Sequence, residues 1–314
     1  MKIIVTGATG MIGAALCREA AKKNIEVTAL VHRNSEKIDT IRGISHLKIV
    51  ECNLSEYDKL DIGNGYSCMY HLSWEGTNGE KRDDACIQER NIRFTLDAVK
   101  LAGRCGCDTF IGAGSQAEYG PRKLTEKEKL GENTVTLPES CYGIAKYTAG
   151  KLSRILCAKL GLRHCWTRIL SVYGPGDGDE SFISYCINSL LCGKSPELTP
   201  CTQIWDYMYV YDTVNALLSI GQKGADGRTY CLGSGKTMPL ADYAKIIRDI
   251  INPDIELGIG KKNFYPHQPM YLCADITNLA RDTGYIPNTD FNAGIRETID
   301  YNKRKLQGEV NEND

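Results

Sequence analysis

Two side chains of the segment Tyr142-Gly143-Ile144-Ala145-Lys146 have the chemistry to exchange a proton with a substrate. On a helix, residues four apart lie on one face, so Tyr142 and Lys146 would point the same way. A free tyrosine has a pKa of about 10, and a fixed ammonium beside it favours the phenolate and lowers that pKa. A tyrosine tuned in this way can protonate a carbonyl oxygen or deprotonate an alcohol. This spacing is more often that of a solvated pair on a helix surface, so the rest of the chain decides between the two interpretations.

The composition is that of a globular protein without a strongly charged partner. The chain has 314 residues and a formal net charge of −1, which is long enough for one large domain or two smaller ones. Its basic residues are scattered, so we expect neither nucleic acid nor a membrane surface as a partner. The apolar runs are much shorter than a membrane span, and Lys2-Ile3-Ile4-Val5-Thr6 predicts a strand rather than a signal peptide.

The fourteen cysteines indicate a reducing compartment. They form no Cys-x-x-Cys pair, and Cys105-Gly106-Cys107 has the wrong spacing for a zinc site, so we expect no metal. Since no secretory signal is expected, we interpret these residues as free thiols of a cytoplasmic protein, most of them small core residues.

A glycine loop follows the first predicted strand. The segment Gly7-Ala8-Thr9-Gly10-Met11-Ile12-Gly13 lies between the strand and a stretch with helical periodicity that begins at Ala14. Glycines allow a tight turn and the close approach of a pyrophosphate, and the free N–H groups of the helix attract negative charge. The segment therefore predicts a dinucleotide site.

The spacing Gly-x-x-Gly-x-x-Gly resembles that of extended short-chain dehydrogenase/reductases, the branch that acts on nucleotide sugars. Later marks, among them Tyr173-Gly174-Pro175-Gly176, extend the resemblance over nearly the whole chain. The resemblance implies that NAD(P) contacts the glycine loop, the loops after the third and fourth strands, and the Tyr/Lys pair. These cofactor residues are Gly7, Thr9, Gly10, Met11, Ile12, Asn53, Leu54, Leu72, Tyr142 and Lys146.

The end of the second predicted strand bears on the choice between NAD and NADP. A site that prefers NAD usually carries Asp or Glu about 20 residues past the glycines, where it binds the ribose 2′-hydroxyl. Here the chain reads Val31-His32-Arg33-Asn34, which has no carboxylate. Because Arg33 could pair with a 2′-phosphate, we predict NADP as the cofactor, with NAD as the alternative.

Ser115 is the third predicted catalytic residue. It ends a strand, and Tyr119-Gly120-Pro121 follows it in the same frame as the family's catalytic Ser or Thr. The resemblance implies that its hydroxyl polarises the reacting oxygen beside Tyr142, while Lys146 holds the nicotinamide ribose. A serine at a strand end is otherwise a common turn or cap residue.

The next two residues separate possible reactions. Sugar 4,6-dehydratases of this family carry Asp-Glu there as the acid/base pair that removes water. This chain has Gln116-Ala117, which cannot shuttle a proton at neutral pH, and Glu118 is expected to face elsewhere. Dehydration is therefore not expected.

Several further residues are predicted on the substrate side of the site. His71 is interpreted as a packed strand residue, and residues 75–84 either line the cleft or form a plain loop. Ser171 and Trp205 replace the family's usual Asn and its diphosphate-binding Arg, whereas Asp212 is expected to cap a helix from Thr213. The predicted substrate-binding residues are Ser73, Trp74, Ser115, Gln116, Ser171 and Trp205.

The sequence as a whole predicts a doubly wound parallel α/β sheet of the Rossmann type with a smaller C-terminal substrate lobe. Residues 1–174 form the NAD(P)-binding domain, to which 201–235 return, and residues 175–200 and 236–314 mainly form the lobe. The predicted function is NADPH-dependent reduction, at C4, of a nucleotide-linked 4-keto-6-deoxy sugar, with Tyr142 as proton donor. The alternatives are a nucleotide-sugar 4-epimerase and a non-catalytic NADP-binding protein. The resemblance also implies a homodimer.

Overall fold

Seven parallel strands form the central sheet of the protein. The computed structural model describes residues 1–121, 128–264 and 268–308, so part of the predicted polar loop 122–136 and most of the polar tail 307–314 lie outside the described residues. The strands, numbered in chain order, are β1 Lys2–Thr6, β2 Glu26–Val31, β3 Leu47–Glu51, β4 Cys68–His71, β5 Thr109–Ser115, β6 Arg163–Ile169 and β7 Arg228–Leu232.

The strand order places a crevice at the carboxyl end of β1. Across the sheet the order is β3-β2-β1-β4-β5-β6-β7, so the direction of winding reverses between β1 and β4. In doubly wound sheets, ligands bind outside the carboxyl ends of the strands at this switch point. The predicted Rossmann fold is confirmed.

Helices cover both faces of the sheet. Helices α1 and α5 pack together on one face, whereas α2 and α3 pack together on the other. The inner strands β1, β4, β5 and β6 are short and buried on both sides, as the interior of a three-layer α/β fold requires, whereas the edge strand β3 has no buried residue. The helices are α1 Met11–Lys22, α2 Ala85–Arg104, α3 Cys141–Leu160, α4 Phe182–Leu191, α5 Val210–Lys223, α6 Leu240–Ile251, α7 Thr277–Thr283 and α8 Phe291–Gln307.

A second group of helices packs beyond the carboxyl end of the sheet. Helices α4, α6 and α8 contact one another, and short strand pairs flank them. These pairs join Ser171–Tyr173 to Tyr207–Tyr209, Ile204–Trp205 to Met238–Pro239, and Glu197–Leu198 to Gly258–Ile259. We propose that this group is the substrate lobe, with the boundaries that the sequence predicts.

The role predicted for Asp212 is wrong. Helix α5 begins at Val210, so Asp212 lies inside its first turn rather than at its cap. Its carboxylate instead accepts hydrogen bonds from the Tyr285 hydroxyl at 2.7 Å and the Thr289 amide at 2.9 Å. Asp212 therefore links the segment before α8 to helix α5.

Among the described residues, no helix is long and apolar enough to cross a membrane. All fourteen cysteines lie in the described part of the chain, and all are free thiols.

Two glycines fix the loop between β1 and α1. Gly7 has a φ of +68°, and a Cβ there would lie 2.7 Å from the Ser73 amide nitrogen. A Cβ on Gly13 would lie 2.1 Å from the Gly7 carbonyl oxygen. The helix can therefore approach the loop this closely only without side chains at these positions.

We expect Gly13→Ala to lower the free energy of unfolding by about 1–3 kcal/mol, because the added methyl group forces the loop away from α1. Dinucleotide binding should weaken with it. Denaturant unfolding and cofactor titration measure the two effects.

Gly103→Ala is the matched control. Its Cβ would make an ordinary contact of 3.6 Å with Leu160. This variant should be neutral or stabilised by up to about 1 kcal/mol, since alanine favours a helix over glycine. Equal effects of the two substitutions would contradict the packing argument.

Candidate active site

Tyr142 and Lys146 lie in the first turns of α3, on the side that faces β5. The helix starts cleanly because the Ser140 hydroxyl accepts a hydrogen bond from the Gly143 amide at 3.1 Å. Lys146 is only 3% exposed, and its ammonium donates to the Ala113 carbonyl oxygen at 2.6 Å. That bond ties α3 to the end of β5, and the solvated-surface interpretation of the pair is excluded.

Ser115 ends β5 and reaches the same point. Its hydroxyl lies near the Tyr142 hydroxyl, where it lowers the pKa of that phenol, and it accepts a hydrogen bond from the Ala117 amide at 3.2 Å. The structure thus brings together the three residues that the sequence predicts to be catalytic. A hydroxyl pair of this kind can bind one substrate oxygen and pass a proton to it.

A buried ion pair supports Ser115 from behind. The Glu118 carboxylate lies 2.8 Å from the Arg168 guanidinium, and both side chains are almost completely buried. Its other oxygen accepts from the Ser115 amide and the Trp166 indole, each at 2.9 Å. Glu118 is therefore turned away from the substrate side, as predicted, and holds the backbone of Ser115.

The predicted lowering of the Tyr142 pKa is wrong for this structure. Burial raises the pKa of Tyr142, and the charge of Arg82 and the hydrogen bond with Ser115 only partly oppose it. Burial also lowers the pKa of Lys146 to about 7, with Glu118 opposing this effect and Arg82 adding to it. Desolvation disfavours the charged form of each group, and it is the largest influence on both pKa values.

His71 is a packed strand residue, as predicted. Its imidazole lies 3.0 Å from the Thr6 hydroxyl and 3.3 Å from the Thr95 hydroxyl. Burial lowers its pKa to about 3, so the ring is neutral and performs no acid–base work near pH 7.

Trp74 and Ser73 follow β4 but face different parts of the site. The Trp74 ring lies 3.7 Å from the Lys146 ammonium, and its indole N–H donates to Gln88 at 2.8 Å. Ser73 donates to the Thr6 hydroxyl at 2.8 Å, on the glycine-loop side. Of these two predicted substrate residues, Trp74 covers the catalytic pair, whereas Ser73 lies nearer the predicted cofactor.

A cavity of about 660 Å³ opens beside the catalytic residues. Gln116 and Ala117, which follow Ser115, form part of its wall together with Arg82, Ser140 and Trp205. The Gln116 side-chain oxygen is shielded from solvent and has no hydrogen-bond partner among the described residues.

The two departures from the family pattern on the substrate side are physically coupled. The Trp205 indole N–H donates to the Ser171 hydroxyl at 2.7 Å. The neighbouring Asp206 is fully buried and accepts from the backbone amides of Ser234, Gly235 and Ala274. Trp205 therefore has a fixed position in the cavity wall and supplies no charge.

A second cavity, of about 470 Å³, lies against the glycine loop. The predicted cofactor residues Thr9, Gly10 and Met11 line it, together with Arg18 and Lys37. Helix α1 has no side-chain cap, so its N–H groups are available to a pyrophosphate. Ile12 lies in the same first turn. These residues fit a dinucleotide.

A carboxylate that could not be predicted from the sequence, that of Glu56, lies beside the end of β2. Arg33 forms two hydrogen bonds with Glu56, at 2.9 and 3.1 Å, and Glu56 also accepts from the Asn53 amide at 2.6 Å. Glu56 comes from the turn after β3, so no local pattern places it there. A 2′-phosphate would have to compete with Glu56 for Arg33.

The other two predicted cofactor residues, Leu54 and Leu72, lie just after the carboxyl ends of β3 and β4. Leu54 packs into the core on the α2 and α3 side of the sheet. The Leu72 amide donates to the Thr6 hydroxyl at 3.1 Å, so Leu72 lies at the switch point between β1 and β4.

The match to a known family covers most of the chain. The model of the NAD-dependent epimerase/dehydratase family matches residues 3–233. The chain belongs to this family. The resemblance to extended short-chain dehydrogenase/reductases is thereby confirmed, and the protein is an NAD(P)-dependent enzyme of the nucleotide-sugar epimerase, dehydratase and reductase group.

Curated relatives match over nearly their full length. The chain is 25% identical to the uncharacterized UDP-glucose epimerase YtcB of Bacillus subtilis, over 98% of this chain and 100% of YtcB. It is 28% identical to the CDP-abequose synthase of Salmonella typhimurium, over 95% and 97% of the two chains. A dTDP-glucose 4,6-dehydratase of Escherichia coli is 26% identical, over 95% and 92%.

Solved structures share the fold. The UDP-glucose 4-epimerase of Thermotoga maritima, with UDP-glucose, superimposes with a TM-score of 0.86 at 21% identity. The match covers 98% of this chain and 100% of that one.

The buried pair Glu118 and Arg168 generates a stability prediction. Glu118→Gln should lower the free energy of unfolding by about 3 kcal/mol, because Arg168 would remain buried without its counter-charge. Denaturant unfolding measures the loss. The control Asp249→Asn breaks the ion pair with Arg248 at a half-exposed carboxylate, and its effect should stay below about 1 kcal/mol. An equally small effect of Glu118→Gln would show that the buried pair does not stabilise the end of β5.

Proposed function

We propose that the protein is an NAD(P)-dependent 4-epimerase of a nucleotide sugar. The observation that carries the proposal is that the hydroxyls of Ser115 and Tyr142 lie near each other, beside a cavity whose wall holds Gln116 and Ala117. The pair can move a proton at one sugar oxygen, but the wall offers no acid/base pair for removing water at the neighbouring carbons.

The bound dinucleotide supplies hydride acceptance and return at the sugar carbon. Tyr142 would take the proton of the C4 hydroxyl, and Ser115 would orient the oxygen that becomes a carbonyl. Once the ketone has presented its other face, Tyr142 would return the proton to the C4 oxygen. No proton or hydride is gained or lost, so the product is the C4 epimer.

The cavity supports this sequence of steps. A 4-keto sugar must turn before the hydride can reach its other face, and about 660 Å³ gives it room. The Gln116 side chain and the Trp205 ring, both in the cavity wall, offer the turning sugar one polar group and one flat surface. The nucleotide would lie along the second group of helices.

The relatives favour epimerisation over the reduction that the sequence analysis put first. YtcB, which matches over 98% of this chain, is named an uncharacterized UDP-glucose epimerase, and the T. maritima enzyme is a UDP-glucose 4-epimerase. Although dehydratases are also among the relatives, Gln116 and Ala117 speak against dehydration here.

Reduction of a nucleotide-linked 4-keto-6-deoxy sugar by NADPH is the second candidate. It is favoured by Arg33, which lies at the end of β2 where a 2′-phosphate would lie. The same three catalytic residues would serve it, with Tyr142 giving its proton to the C4 oxygen.

Incubation with UDP-, CDP- and dTDP-hexoses, followed by NMR of the products, tests the main proposal. We expect conversion of one nucleotide sugar to its C4 epimer without net formation or consumption of NAD(P)H. Net NADPH oxidation on a 4-keto sugar nucleotide would favour reduction instead.

Tyr142→Phe separates catalysis from mere cofactor binding. It should lower kcat at least about a hundredfold, because it removes the proton-transfer group, while cofactor affinity stays within a few-fold. Tyr147→Phe, which alters a tyrosine one turn further along α3, is the control and should retain activity. An unchanged rate in Tyr142→Phe would remove Tyr142 from the mechanism and favour the non-catalytic alternative.

We also propose that the protein prefers NADP to NAD, and that this preference depends on Arg33. Arg33→Ala should weaken NADPH binding about tenfold, through loss of a charge-assisted hydrogen bond, and leave NADH binding unchanged. Lys48→Ala, at an exposed position at the start of β3, should change neither affinity. If the unmodified protein binds NADH more tightly than NADPH, the proposed preference is wrong.

A homodimer remains a proposal. Ile144, Leu152 and Ile155 are exposed on one face of α3, and an apolar stripe of this kind favours helix packing between two copies. A monomer in sedimentation equilibrium would contradict it. The cytoplasmic location is supported by the fourteen free thiols.

A further inference from the structure

We propose that Arg82 is a positioning residue for Tyr142, and that its guanidinium holds the phenol ring and stabilises the phenolate. The sequence analysis assigned Arg82 no role. The inference deepens the proposed function, because it rests on Tyr142 as the acid–base group of the reaction.

The position of Arg82 relative to Tyr142 is the first support. The guanidinium carbon lies 4.0 Å from the centroid of the Tyr142 ring. A hydrogen bond of 2.7 Å runs from Arg82 to the Thr77 carbonyl oxygen and fixes the arginine side chain. A cation over an aromatic ring is attracted to it, and a cation at the hydroxyl favours the phenolate.

The loop that carries Arg82 is held from α2. Buried Gln88 donates from its side-chain amide to the carbonyl oxygens of Gly76 and Lys81, at 2.9 and 3.0 Å. The Asn91 amide both accepts from and donates to the backbone of Glu75, each at 2.9 Å. Residues 75–84 are thus an ordered part of the site.

The same loop is also joined to the helix of Tyr142. The Asp83 carboxylate accepts from the Cys141 amide at 3.0 Å, immediately before Tyr142. Because Arg82 and Asp83 are adjacent, this bond fixes the distance between the guanidinium and the start of α3. Arg82 and Asp83 both line the 660 Å³ cavity.

The charges around Tyr142 explain why an arginine is needed. Three charged groups surround the phenol: Arg82 from the loop, Lys146 from α3 and Glu118 from the turn after β5. The pKa of Lys146 is lowered to about 7, so its charge is partly lost near neutral pH. An arginine stays charged throughout this range, so Arg82 supplies the permanent positive charge. It opposes the effect of burial on the pKa of Tyr142.

The titration of Tyr142 tests the proposal without substrate. It is read as the ultraviolet absorbance difference between each protein and the same protein carrying Tyr142→Phe, as a function of pH. Removing the charge in Arg82→Gln should raise the pH of the phenolate transition by about one unit. At any pH below the transition, the variant should then contain about tenfold less phenolate. Arg82→Lys keeps a charge and should move it less. The neighbouring control, Lys81→Gln, should leave it in place.

The rate profile gives the second readout. It is the pH dependence of kcat, measured with a nucleotide sugar that the enzyme converts. In Arg82→Gln, the rise of kcat that requires deprotonated Tyr142 should move to higher pH by the same amount, with little change in KM. A purely structural role would lower the rate equally at every pH. A shifted titration without turnover of any nucleotide sugar would refute the proposed function but support the role of Arg82.

The proposal is overturned if folded Arg82→Gln titrates like the unmodified protein, or if Arg82→Lys shifts as far as Arg82→Gln. A shift of equal size in Lys81→Gln would also overturn it. Circular dichroism checks folding, and Arg82→Met replaces Arg82→Gln in the same comparison if the latter does not fold.

Discussion

The site depends on one buried hydrogen bond, from the Lys146 ammonium to the Ala113 carbonyl oxygen. A buried ammonium is costly unless it is paired, so this bond fixes how α3 lies against the end of β5. It places Tyr142, one turn earlier on the helix, against Ser115, two residues later on the strand. The covering Trp74 ring and the ion pair of Glu118 with Arg168 exclude water from the same region. Because this region has low polarity, burial raises the pKa of Tyr142, the proposed proton-transfer group.

The walls of the larger cavity narrow the chemistry that this centre can perform. Gln116 and Ala117 leave proton transfer to Tyr142 and Ser115, which suits reversible oxidation at one carbon. Trp205 and Ser171 are bonded to each other, so the change from a charged to an aromatic side chain comes with a new polar partner. Because Trp205 brings no charge, Arg82 is the one cation among the described residues that line this cavity.

Features with a local pattern could be predicted from the sequence. The strands β1 and β5 are short apolar or small-residue runs, and the glycine loop lies between a strand and a helix as dinucleotide binding requires. The frame from Ser115 to Tyr119 identified Ser115 as a candidate catalytic residue, and the spacing of Tyr142 and Lys146 predicted a shared helix face. These predictions rest on neighbours in the chain.

Features made by distant contacts could not be predicted. Arg82 lies in a polar stretch without periodicity, and nothing local shows that Gln88 and Asp83 hold it over Tyr142. Glu118 and Arg168 are separated by 50 residues, and Glu56 reaches Arg33 from 23 residues away. Burial also reversed one expectation, because the spacing of Tyr142 and Lys146 gives their direction but not the polarity around them.

The most direct test of the account follows the hydrogen on the reacting carbon. A nucleotide sugar that the enzyme turns over, UDP-glucose first, is prepared with deuterium at C4, and the product is analysed by NMR and mass spectrometry with unlabelled NAD(P)H in solution. The account predicts a C4 epimer that keeps the deuterium at C4, since the hydride leaves and returns within one binding event. Deuterium that appears in released NAD(P)H, or a product that carries hydrogen from the added NAD(P)H, would contradict it.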